Sequence, residues 1–416
     1  MADDLPSRPV LDLARALIGC RSLTPDDAGC CALIGARLSR IGFQLEWMNC
    51  EGVTNLWATY RSEDRGNDVA HPLLILAGHT DVVPPGPRER WASDPFQPEI
   101  RDGVLYGRGA ADMKSGLAAM VCAAERLLAS TPIRGTLAFL ITSDEEGIAQ
   151  YGTKHVAQVL RERGIVPDYA IVGEASSHQT LGDRIVVGRR GSLGCNLRVL
   201  GKQGHVAYPL KADNPIHRLT PALAELVATQ WDSGNAQFPP TSFQVSNIHA
   251  GTGANNVIPG EAELVFNFRY CTESTAEGLK ARVHEVLDRH GLKYEASWWH
   301  SGEPFLTRNG ALIAAAEAAI REVVGSDTNE PRAETSPGNS AVHSPGHSLE
   351  NFPEHFTGGG TSDARFIAPL GAEVVEIGPI NDSIHKIDEH VRIDDLERLS
   401  LIYEGVLRRL LTPLQH

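Results

Sequence analysis

Seven acidic or imidazole side chains stand near points where an apolar run stops. His79 and Asp81 follow one in ILAGHTDVVPPG, and Asp112 comes just before MKSGLAAM. Glu145 and Glu146 follow LAFLITSD, Glu174 follows YAIVG, and His385 comes shortly after VVEIGP. Side chains two apart on an extended chain point the same way, so His79 and Asp81 can touch, and an imidazole held by a carboxylate is common at metals. Each position also has an ordinary reading. The first is a strand ending in a polar turn, Asp112 a helix cap, SDEEG a solvated acidic turn, and His385 a surface imidazole. Repetition favours the chemical reading, because ligands of open α/β sheets bind beyond the carboxyl ends of the strands. Residues distant in sequence would then converge on one cleft. Crowded carboxylates repel unless a cation neutralises them. The charges of Asp112, Glu145, Glu146 and Glu174 would be balanced by two divalent ions. Imidazole and carboxylate ligands without thiolate suit zinc, with cobalt or manganese as substitutes. Two such ions, about 3.5–4 Å apart, share a bridging carboxylate and activate a water. Adjacent Glu145 and Glu146 offer one ligand and one free base.

The elements that must position these groups alternate in kind. VLDLARALIGC and CCALIGARLSRIG have helical periodicity, with LTPDD as a start signal between them. FQLEWM, NLWATY, PLLILAG, GTLAFLITS and PDYAIVG are strands, and MKSGLAAMVCAAERLLAS is a buried Ala- and Leu-rich helix. Near-continuous apolar strands predict a sheet covered by helices on both faces, hence an α/β fold. After about Gly182 the texture changes. RIVVGRRGSLGCNLRVLG is expected as paired strands, followed by helix, strand, strand, helix and strand as far as KYEASWWHSG. That order predicts a small inserted α+β domain at 184–301, dividing a catalytic domain into 1–183 and 302–416. Ser326 to Phe356 is rich in Pro, Ser, Asn and His and is expected to be a flexible loop. Its His343, His347 and His355 are expected to be solvated rather than metal-bound.

The whole-chain numbers narrow the class. At 416 residues two domains are expected, and 42% hydrophobic with 22% charged residues is ordinary for a globular protein. A formal charge of −14 argues against nucleic acid and anionic membrane as partners. It allows an anionic small molecule where arginines gather. No run reaches the roughly 18 apolar residues of a membrane helix, and MADDLPSRPV is acidic where a signal peptide would be basic. The seven cysteines lack any C-x-x-C pair, which suits a reducing cytoplasm.

GHTDVVPPG, the run from Trp91 to Met120 containing LYGRGAADMKSGLAAM, TSDEEG, GRRGSL, GHVAYP, GTGANNVIPG, FNFR, GGGTSDARF and IHKIDEHV occur in this order. Together they resemble the di-zinc aminoacylase and carboxypeptidase family, most narrowly its desuccinylase branch, over nearly the whole chain outside the loop around 336–356. The resemblance implies a mixed-sheet di-zinc hydrolase domain with an inserted ferredoxin-like dimerisation domain. It implies two Zn2+ per subunit, bridged by Asp112, with His79 and Glu174 on one and Glu146 and His385 on the other. Cobalt would be a possible substitute. Asp81 would orient His79, Glu145 would be the general base, and the Asp112–Met113 bond would be cis. His205 would reach the active site of the partner in a homodimer and donate to an oxyanion. Arg189, Arg190, Arg269, Asn255, Asn256, Thr357, Gly358 and Ser362 are the candidates for substrate contacts. The implied reaction releases succinate and LL-2,6-diaminopimelate from the N-succinyl compound, toward lysine and cell-wall precursors. Acetylornithine deacetylation or a related aminoacylase activity is the alternative. A non-catalytic binding protein of this fold would have lost a ligand or the base, and all are present. Departures from the branch are Ala175, Ala364, Asp388 and His390, none of them a proposed ligand.

Overall fold

The computed structural model describes residues 8–62, 71–325 and 352–412. They form two compact units, one of residues up to Val187, Thr307–Phe356 and from Ser362 onward, the other of Gly188–Leu306 with Thr357–Thr361.

The first unit is built on an eight-stranded mixed sheet. Its order is Gln44–Trp47, Asn55–Arg61, Thr136–Thr142, Leu73–His79, Tyr169–Val172, Glu373–Glu376, Arg184–Val186 and Glu354–Phe356. Leu73–His79 runs parallel to both neighbours and is buried from Leu74 to its end. Unbroken apolar sequence is what a strand covered on both faces requires. The helix Ser115–Ser130 is buried from Ser115 to Ala124, and the hydroxyl of Ser400 in the helix Ile393–Leu411 donates to its Ala119 carbonyl at 2.8 Å. Close approach fixes Gly78. A Cβ there would lie 2.2 Å from Met113 Cε, so any larger residue must push that side chain aside for the end of the strand to pass the turn that carries Asp112. A small three-stranded sheet, His390–Arg392, Val104–Tyr106 and Glu99–Arg101, flanks that turn's approach.

The second unit has the predicted strand and helix order. Its antiparallel sheet runs Ser242–Ala250, Glu261–Tyr270, Gly191–Leu200, Lys293–Gly302, with helices Pro215–Ala228 and Ala276–Arg289. The β-α-β-β-α-β order with this strand arrangement is ferredoxin-like. Glu261–Tyr270 alternates between buried and more exposed residues, as a sheet with one face on a core must. Phe266, Phe268, Tyr270 and Trp231 pack in that core. Both helices carry their own start signals. The Asn214 side chain accepts from the Ile216 amide with Pro215 in the first turn, and Thr275 accepts from Gly278.

Three expectations need correction. Arg184–Val186 is not a hairpin partner of Gly191–Leu200. It joins the large sheet beside Glu373–Glu376 and pairs in parallel with Glu354–Phe356. The units therefore part at Val187 and Leu306, not at 183 and 301, because apolar RIV is used by the larger sheet. Residues 354–356, expected in a flexible loop, are a strand; His355 faces Glu317 at 2.9 Å. His343, His347 and the rest of 326–351 lie outside the described residues. Among the described residues no helix is long and apolar enough to cross a membrane.

Candidate metal centre

His79 closes the central parallel strand, 1% exposed. Its Nδ1 lies 2.9 Å from the Asp81 carbonyl oxygen and 3.5 Å from the Asp81 carboxylate. The ring is thus held by the backbone carbonyl of Asp81, with the Asp81 carboxylate beside the same nitrogen, as the i, i+2 spacing predicts. That carboxylate has other partners, accepting from the amides of Glu145 at 3.3 Å and Glu146 at 3.1 Å. Asp81 therefore shapes both the imidazole and the acidic turn across from it.

With Nδ1 engaged, Nε2 of His79 faces Asp112 Oδ1 at 3.2 Å and Glu174 Oε1 at 3.5 Å. The other oxygen of Asp112, Oδ2, lies 3.2 Å from His385 Nε2, which also meets Glu146 Oε1 at 2.9 Å. Two groups, His79–Asp112–Glu174 and Asp112–Glu146–His385, could each hold a metal ion, and they share Asp112. One carboxylate offering an oxygen to each group is the geometry of a bridging ligand, and the all-N,O donor set fits zinc, cobalt or manganese.

Local folding explains each placement. Asp112 is not the cap of the following helix. It sits in the wide turn Ala110–Lys114 with non-helical backbone, joined to Met113 by a cis peptide bond. The turn opens on Gly109 at φ 84°, where a side chain would also crowd Val82. In SDEEG the first acid is structural, since Asp144 accepts from the amides of Ala149, Gln150 and Tyr151 and sets the loop that presents Glu145 and Glu146. His385 has φ 59°, a left-handed conformation that a non-glycine residue adopts at a cost and that clusters at functional sites.

The electrostatics call for positive charge. Burial, then the charge of Asp112, pushes Glu174 up to about 7. Burial with the charges of Glu174 and Asp363 drives Glu145 well above the carboxylate range. Hydrogen bonds to Asp112 and Glu146 push His385 up to about 10. Glu145 is not in either ligand group; its Oε1 lies 3.8 Å from Arg365 Nη1. A carboxyl beside two ligand groups but outside them can act as a proton acceptor.

The remaining candidates have other surroundings. Ser362, in the first unit, is buried and donates to Glu376. In the second unit Arg189 Nη1 donates to the carbonyls of Gly358 and Gly360, both at 3.1 Å, and so holds the glycine turn. Thr357 donates to the Gln237 carbonyl. Asn255 and Asn256 are exposed, and Arg269 lies at a cross-strand position opposite Ser192 and Ser242. His205 is exposed, its Nδ1 accepting from the Ala207 amide at 3.1 Å. Sequence reasoning missed Arg365, Arg108 and Glu389. All three stand inside quoted motifs, GGGTSDARF, YGRGAADM and IHKIDEHV, but nothing local marks Arg108 and Glu389 as partners.

Comparison with known proteins follows this geometry. The model of peptidase family M20/M25/M40 matches residues 75–409. A succinyl-diaminopimelate desuccinylase of Thioalkalivibrio sulfidiphilus is 58% identical over 402 residues, covering 96% of this chain and 98% of that protein. The protein of the same name from Azoarcus sp. is 56% identical, covering 98% and 99%. Among solved structures, the M20 metallo-carboxypeptidase Sso-CP2 of Sulfolobus solfataricus aligns with TM-score 0.75 at 18% identity, over 97% and 99% of the two chains. The YXEP protein of Bacillus subtilis, described as a dinuclear metal binding peptidase, aligns with TM-score 0.65 at 13% identity, over 95% and 96%. At these identities the structures speak for the fold.

Proposed function

This chain belongs to peptidase family M20/M25/M40, and we propose that it hydrolyses N-succinyl-LL-2,6-diaminopimelate to succinate and LL-2,6-diaminopimelate. The observation that carries the reading is one bridging carboxylate, Asp112, between two ligand groups with a non-ligating carboxyl, Glu145, beside them. The full-length likeness to desuccinylases supplies the substrate class.

His79, Asp112 and Glu174 would hold one Zn2+, and Asp112, Glu146 and His385 the other, with Co2+ as a substitute. When bound, the pair supplies Lewis acidity and a nucleophile at neutral pH. Glu145 takes a proton from the attacking water on its carboxylate and later passes it to the leaving amine nitrogen. Asp81 keeps His79 turned toward the centre, and His205 donates from its ring to the developing oxyanion. Arg189, Asn255, Asn256, Arg269, Thr357, Gly358 and Ser362 are assigned to the polar groups of the substrate. The substrate carries three carboxylates and one ammonium group, so local donors are needed against the overall charge of −14.

The working form is a homodimer built through the second unit, in a cytoplasmic enzyme. Support comes from Ser242–Ala250, an edge strand whose residues 246–250 are all exposed, and from Ile248 at 56%, Tyr208 at 61% and Leu210 at 100% exposure. An exposed edge strand and exposed apolar groups in the same unit are what a second copy would cover.

The test is kcat/KM on N-succinyl-LL-diaminopimelate and on N-acetylornithine, with zinc and after chelation. A metal-dependent preference for the succinyl compound is expected. Preference for acetylornithine would move the substrate assignment, and hydrolysis of neither would overturn it.

A further inference from the structure

Glu389 is fully buried, four residues after His385 and immediately before the strand His390–Arg392. A buried carboxylate is costly unless paired and hydrogen-bonded, so the partners it has acquired show what it is for. Its Oε2 accepts from Arg108 Nη1 at 2.6 Å and from the Gly109 amide at 3.0 Å. Its Oε1 accepts from the amides of Ala111 at 2.8 Å and Asp112 at 3.0 Å. Its carbonyl oxygen accepts from the Gly107 amide at 2.9 Å. Amides converging from one turn make a concavity for an anion, and here the anion is a side chain of the same protein. Arg108, 2% exposed with its guanidinium over the Trp91 ring at 5.2 Å, closes the far side.

The consequence lies in what these atoms join. The turn gripped by Glu389 carries Asp112, which belongs to both ligand groups, and the segment bearing Glu389 carries His385, which belongs to one. We infer that Glu389 is the positioning residue that sets the register between the Asp112 turn and the His385 segment, and so fixes how Asp112 is divided between the two ligand groups. Ligand distances at a metal tolerate only about 0.2 Å. A carboxylate that accepts four bonds, from the Arg108 side chain and the amides of Gly109, Ala111 and Asp112, holds the bridging turn at that scale. The inference rests on the two-metal reading above.

The test uses Glu389→Gln and Glu389→Asp in the full chain. Glutamine keeps one acceptor oxygen but turns an NH2 toward amide or guanidinium donors, so part of the grip becomes donor against donor. Zinc is titrated in competition with a chromophoric chelator, and the visible spectrum of the cobalt-loaded protein is recorded. Far-UV circular dichroism checks folding. In E389Q one of two equivalents is expected to bind about 10–100-fold more weakly, the range found when groups orienting metal ligands are removed. The cobalt spectrum shifts and kcat falls more than KM changes. E389D, with both oxygens and the charge, regains part of the affinity and remains informative if E389Q does not fold. Wild-type affinity for both equivalents with an unchanged spectrum, in a folded E389Q or in an E389D of lowered Tm, would overturn the inference. If the wild-type chain itself takes up no second equivalent, the two-metal reading fails instead, and the control shows it.

Discussion

Removing the Glu145 carboxyl would delete the proposed proton acceptor and leave both ligand groups complete. Glu145→Ala is therefore expected to retain its metal by elemental analysis while kcat drops by about 10²–10⁴, the range for a positioned general base. Turnover near the wild-type level would reassign the base. His205→Ala should keep full metal content and lose kcat. Mixed with a Glu145 variant, it should recover part of the activity if His205 serves the partner's site; verified mixed dimers without recovery would confine it to its own subunit. The positions of His79, Glu145, Glu146 and Glu174 were legible because each follows an apolar run, a pattern that survives in one dimension. Glu389 and Arg108 were not. Their pairing spans 281 residues, and neither sits at a strand end where a carboxylate stands out. The double use of Asp81 was hidden for a related reason, since its carboxylate meets amides 64 and 65 residues away.

Elements carry their own vulnerabilities. The end of the strand Leu73–His79 and the turn Ala110–Lys114 meet at Gly78 and Met113, so Gly78→Ala should force one aside. A destabilisation of about 1–3 kcal/mol, the cost of overpacking, is expected by denaturant melts. An unchanged midpoint would mean that the Met113 side chain moves away freely. In the second unit, Asp232 accepts from the amides of Gly234 and Thr241 and from the Ser274 hydroxyl, tying the connection between Pro215–Ala228 and Ser242–Ala250. Burial opposes its charge, but the Ser274 and Thr241 bonds win and hold it well below the ordinary value of 3.8. A depressed carboxylate stabilises above its unfolded pKa, so this contribution is present above about pH 4 and lost as pH falls below it. Asp232→Asn should flatten the acid arm of the stability profile; parallel profiles for variant and wild type would refute that assignment. Helix and strand periodicities predicted most elements of both units. Three-residue strands such as Arg184–Val186 and Glu354–Phe356 escaped because so short a run fits a hairpin or a loop equally well, and only the larger sheet decides.

At the scale of the whole molecule, metal and folding should be linked. Ions that bind the assembled ligand groups and not the unfolded chain add about 2.7 kcal/mol at a free concentration one hundred times Kd. Chelation should lower Tm, and zinc should restore it in a concentration-dependent way; a Tm indifferent to chelator would mean that the folded chain does not hold the ions. The first unit is also discontinuous, and that has a consequence in time. Asp112 and Glu389 are 277 residues apart, so at ordinary elongation rates a ribosome needs roughly 15 to 55 s to pass from one to the other. The His79–Asp112–Glu174 group has all its ligands once residue 174 is made. The Asp112–Glu146–His385 group waits for a residue 211 positions further on. On the two-metal reading, a nascent chain would meet the cell's metal pool with one ligand group complete well before the other.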